Sequence, residues 1–136
     1  MRHYFWPIVA LIALLVAVGR AQLQQPTLAA SVFRTAASTA TQAVKASPGN
    51  LYGWYIYNPN ASVCFADLFD LASASVSLGS STPAISLGIP GSSAANISPN
   101  ALAVANFGAA ISVASVTATG GASTCATGMV VNLWYQ

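Results

Sequence analysis

Residues 83–90 alternate Ile85, Leu87 and Ile89 with Ala84, Ser86 and Gly88, a period of two that gives a strand one apolar face and one small face and that no helix can use. Beyond the amino-terminal segment, the apolar residues are broken throughout by Gly, Pro, Ser, Thr and Asn. Residues 41–46 start a first strand. Ser47-Pro48-Gly49-Asn50 then turns the chain, because Pro fixes φ and Gly accepts positive φ. In residues 51–57 the period of two places Tyr52, Trp54 and Ile56 on one face and Leu51, Tyr55 and Tyr57 on the other. Bulk on both faces fits a central strand covered on two sides, or a strand whose second face meets a neighbouring subunit. Asn58-Pro59-Asn60 is the next turn, and residues 62–71 return as a partner strand, so that residues 50–70 form a hairpin-like unit.

Residues 73–81 are Ser/Gly-rich, yet Val76 and Leu78 still alternate, which predicts a short polar strand and loop. Residues 91–93 and 98–100 punctuate the chain, and residues 102–107, 110–119 and 129–135 supply further strands, with Gly120-Gly121 as a turn. Residues 110–118 have helical propensity, but Ile111, Val113, Val116 and Thr117 without a cap favour a strand. About eight strands at short spacing predict an all-β antiparallel sandwich of jelly-roll type. NPNAS at Asn58 and SPNAL at Ser98 share turn chemistry and are not a repeat.

A chain of 136 residues suffices for one domain. The amino terminus reads as an export signal helix: Arg2 and His3 precede an apolar stretch, residues 7–18, and Gly19-Arg20-Ala21 offers small residues for cleavage after Ala21. An uncleaved anchor is the alternative, although the stretch falls short of the roughly 20 residues that span a bilayer. The expected organisation is a signal at 1–21, a flexible polar arm at 22–40 and a sandwich domain at 41–136. Without the leader, Arg34 and Lys45 balance Asp67 and Asp70. No basic patch remains for nucleic acid. The two cysteines, Cys64 and Cys125, fit one disulfide in an exported protein, with two buried thiols as the alternative reading.

Catalytic chemistry finds few candidates in the mature segment. It has no His and no Glu, and its carboxylates Asp67 and Asp70 sit three apart on a strand, facing opposite sides. Turn capping or solvation explains them better than a glycosidase pair or a calcium site. No Ser or Thr has an activating base, and Lys45 stands alone. No cofactor and no metal are expected. The aromatic residues Trp54, Tyr55, Tyr57, Trp134 and Tyr135 are the candidate contact residues, either in a subunit interface or as a stacking platform for a sugar, with Asn58, Asn60 or Asn132 as hydrogen-bonding partners. Asn60-Ala61-Ser62 and Asn96-Ile97-Ser98 match the short N-glycosylation pattern.

Three blocks, LYGWYIYNPNAS, TPAISLGIPGSSAANI and ATGMVVNLWY, together resemble small all-β virion-associated proteins of tailed bacteriophages and prophages: decoration, head-fibre or tail-associated components. The resemblance spans residues 45–135. It implies a non-enzymatic structural protein in a virion, acting as a homo-oligomer, a trimer by preference, within a larger capsid, tail or surface assembly. At positions 64 and 125 the family pattern carries small residues such as Ala or Pro. Two matched departures to cysteine suggest a Cys64–Cys125 bridge. The export leader also departs from the pattern and points to a periplasmic or extracellular product. A secreted carbohydrate-binding module is the alternative function.

Overall fold

The computed structural model describes residues 29–136, so the expected signal segment and the first part of the arm lie outside the described residues. Nine strands form two antiparallel sheets: β1 (Ser31–Ser38), β2 (Gln42–Lys45), β3 (Gly49–Asn58), β4 (Cys64–Phe69), β5 (Ile85–Ile89), β6 (Ser93–Ile97), β7 (Ala105–Phe107), β8 (Ile111–Val116) and β9 (Met129–Tyr135). Sheet A has the order β1-β9-β3-β6, with the short β7 also pairing with β3, and sheet B has the order β2-β8-β4-β5. With β7 set aside, the pairs β1·β9, β2·β8, β3·β6 and β4·β5 are nested one inside another. That is one long hairpin rolled into two sheets, the jelly roll that the strand spacing predicts.

The core lies between the sheets. Leu51, Trp54 and Ile56 of β3 and Met129, Val131 and Leu133 of β9 meet Cys64, Ala66 and Leu68 of β4 and Ile111 and Val113 of β8. Each such side chain, once fully buried, contributes roughly 1.5–3 kcal/mol if it is Leu, Ile, Val, Phe or Met. On β5, Ile89 is buried, with Ile85 and Leu87 packed on the same core, as the period of two predicts. The small face of β5 serves close packing. Gly88 stands opposite Phe65 of β4, with the ring where a side chain on residue 88 would begin.

Five expectations are corrected. Residues 31–38 are not a flexible arm but an edge strand on β9, so the sandwich starts before residue 41. Residues 50–70 are not a hairpin: β3 belongs to sheet A and β4 to sheet B, and the Asn58-Pro59-Asn60 turn crosses between sheets. Leu51 does not share a face with Tyr55 and Tyr57. A bulge between Leu51 and Gly53, against β9, resets the alternation and turns Leu51 into the core beside Trp54 and Ile56. Residues 93–97 are a strand, β6, although only Ile97 in it is bulky and apolar. Residues 73–81 form no strand: a 3-10 turn (Ser73–Ser75) and a loop lay Val76 and Leu78 over Phe65, Phe69, Ala114 and Val116. This loop covers the outer face of sheet B. Phe65 and Phe69 alternate away from the main core, and in this second cluster Phe69 is buried and Phe65 half-buried.

Cys64 and Cys125, both buried, are joined by a disulfide with a Cα–Cα distance of 6.3 Å. It ties β4 to the segment between β8 and β9, where Cys125 N–H also donates to Ser115 O at 3.1 Å.

Candidate functional site

The outer face of sheet A exposes Arg34, Tyr55, Tyr57 and Asn96 and is crossed by the β6–β7 loop at one end, and strand register shows what stands on it. Directly opposite residues on antiparallel strands share a face. Arg34 on β1 is opposite Asn132 on β9, Asn132 is opposite Tyr55 on β3, and Tyr55 is opposite Asn96 on β6. This row of a cation, two amides and a phenol crosses four strands, about 15 Å at the usual strand spacing. Two residues along β9, Trp134 flanks the row opposite Val32; on the other side Tyr57 flanks it opposite Val130 and Ala94. Arg34 and Asn96 are exposed, Tyr55 and Tyr57 are 42% and 36% exposed, and Asn132 and Trp134 are half-buried. At one end of the sheet the β6–β7 loop crosses over Gly53, whose missing side chain leaves room for Ile97 O and the Pro99 backbone.

The structure therefore brings Tyr55, Tyr57 and Trp134 of the predicted set together on one face and removes two others. Trp54 is only 7% exposed and belongs to the main core, since the bulge that turns Leu51 inward leaves Trp54 and Ile56 pointing the same way. It is not available to a ligand or a subunit. Tyr135 is half-buried and packs against the core. Sequence reasoning missed Arg34 and Asn96. The alternation of Val32 and Arg34 around Phe33, which packs on the core, is the signal that would have found the first.

The asparagines split in the same way. Asn132 is on the open face, whereas Asn58 is fully buried and Asn60 is fully committed. Asn58 Nδ2 donates to Ser62 O at 2.8 Å and Ile89 O at 2.9 Å, and its Oδ1 accepts from Asn60 N–H at 2.9 Å. Asn60 Nδ2 donates to Thr127 O, and Asn60 Oδ1 accepts from Thr127 N–H. The NPN turn thus welds the β3–β4 and β5–β6 connections to the β8–β9 segment. SPNAL uses related chemistry two positions on: Asn100 Oδ1 accepts from Leu102 N–H at 2.7 Å.

Both carboxylates are spent on holding loops. Asp67, fully buried on β4, accepts from Ser86 Oγ and from Gly120 N–H. Asp70 accepts from three successive amides, Gly108 N–H at 2.9 Å, Ala109 N–H at 2.6 Å and Ala110 N–H at 3.2 Å, fixing the approach to β8. These bonds stabilise the ionised form and hold the Asp70 carboxyl below its ordinary value, the Ala109 amide contributing most. A depressed folded-state pKa means that the unfolded chain binds more protons in the acid window, so stability falls as pH drops. The expected result is an acid limb that begins near the ordinary value of 3.8 and continues below it. Asp70→Asn should flatten that limb in denaturation curves recorded from pH 5 to 2. Among the described residues no group of three metal-ligating side chains occurs.

No family model, no curated protein and no solved structure matches this chain. Fold and surface define its class: a jelly-roll sandwich with one sheet face closed by its own loop and the other open, carrying aromatic, amide and guanidinium groups. Within that class the distinguishing features of this chain are the buried disulfide and an apolar loop, residues 98–104, at the end of the open sheet.

Proposed function

We propose that this chain is a non-enzymatic structural module, a virion-like decoration or fibre component, that works by packing against further copies of itself. The carrying observation is Leu102, which is 79% exposed at the tip of the β6–β7 loop. The loop is not slack. Asn100 Oδ1 accepts from Leu102 N–H, and Val104 N–H donates to Leu51 O at 2.7 Å. Ile97 and Val104, 38% and 41% exposed, flank the same connection in sequence, so a held loop presents apolar side chains to solvent. A trimer fits the family resemblance. The commitment of both carboxylates to loop amides agrees with a non-enzymatic role, and a disulfide agrees with export to an oxidising compartment or a particle surface.

Light scattering coupled to size exclusion tests the reading. At concentrations on the order of 10–50 µM the protein should run as an oligomer, and Leu102→Ser should raise its dissociation constant roughly 10-fold. A stable monomer in that range counts against self-assembly. A second reading, a secreted carbohydrate-binding module, is favoured by one separate observation: Trp134, Tyr55 and Tyr57 share the open face with Asn132 and Asn96, the pairing of aromatic surface and amide donors that suits a sugar.

A further inference from the structure

We infer that the open face of sheet A takes an acidic saccharide, with Arg34 holding a carboxylate of the sugar; the inference rests on the carbohydrate-binding reading. The argument is one of charge. The chain has two carboxylate side chains in all, Asp67 and Asp70. Asp67 is buried against Ser86 and Gly120, and Asp70 is taken up by the amides of residues 108–110. Arg34, exposed on β1, therefore has no carboxylate side chain of its own chain as counterion. A second copy brings the same two engaged acids and so no free carboxylate side chain for Arg34. The partner that complements this end of the face is an external anion.

The remaining groups say what carries the anion. Asn132 and Asn96 offer amide donors and acceptors to hydroxyls, Tyr55 lies between them in the row, and Trp134 and Tyr57 border the row on either side. An acidic peptide would use the cation but not the flanking rings at this spacing. A short sugar chain uses both, stacking on an aromatic face while its carboxylate meets the guanidinium in a two-pronged bond.

Calorimetry on the purified protein with trigalacturonate, with neutral galactotriose and with a short polyglutamate peptide separates the possibilities. Trigalacturonate should bind roughly 10-fold more tightly than galactotriose, with an affinity that falls as salt rises. Arg34→Gln should erase that difference and leave the melting temperature unchanged. Trp134→Ala should abolish both sugars. Equal binding of the two sugars, indifferent to Arg34→Gln, overturns the acidic preference while the carbohydrate reading stands. Binding of neither sugar by the unaltered protein overturns both. Polyglutamate binding as tight as trigalacturonate overturns the assignment to a sugar.

Discussion

Replacing Cys64 and Cys125 together by Ala is expected to lower the unfolding free energy by about 4 kcal/mol, the value chain entropy gives for a bridge of this span. The two residues are 61 apart in sequence. In the unfolded ensemble the bond closes that loop, and its loss restores the conformations it excluded. The native state changes little, because both positions are already buried and small. Against a typical stability of roughly 5–15 kcal/mol the effect is large. Urea denaturation of the variant, and of the unaltered protein with and without reductant, checks it. The same midpoint in all three would mean that the bond adds nothing to stability. The Asn60–Thr127 hydrogen bonds hold the same segment independently, so the reduced protein should still fold, at a lower urea midpoint.

Truncation of the two indoles should separate folding from function. Trp54→Ala removes a β3 side chain from the core between the two sheets and should cost about 3–5 kcal/mol, since the surrounding strands cannot close over the void. Trp134→Ala, on the open face, should cost less than about 1.5 kcal/mol, because much of its ring already meets water. The binding consequences run the other way. Near-neutral stability with lost sugar binding for Trp134→Ala, beside destabilisation with intact binding by the folded fraction for Trp54→Ala, is the expected pattern. Comparable destabilisation by both would place Trp134 in the core and remove the open face as a site. Thermal melts with calorimetry on each variant decide between these outcomes.

Part of this fold was legible because a strand such as β5 carries an uninterrupted period of two, which names both the strand and its buried side. β1 and β6 were not legible for a physical reason. Their residues are mostly small or polar, and they pair with β9 and β3, partners far away in the sequence. The face assignment of Leu51 failed because a bulge is invisible to a period of two. At the candidate site, aromatic composition pointed to Tyr55, Tyr57 and Trp134 but could not distinguish them from Trp54. The sorting was done by β9, whose register sets Leu133 inward and Trp134 outward. Arg34 stayed hidden while its segment read as an arm, since an exposed cation gains meaning only from the row it stands in.

The nested pairing of strands has a consequence for how the chain reaches its native state. β4 and β5 pair across the shortest connection, and once they have, β3·β6 and β2·β8 need only close the short segments between one pair and the next. β9 comes last in the chain and lies between β1 and β3. Sheet A therefore cannot be joined across its width until β9 is free of whatever is synthesising or translocating the chain. High contact order of this kind makes folding slow, and the strand that joins β1 to β3 is the last of the described strands to become available.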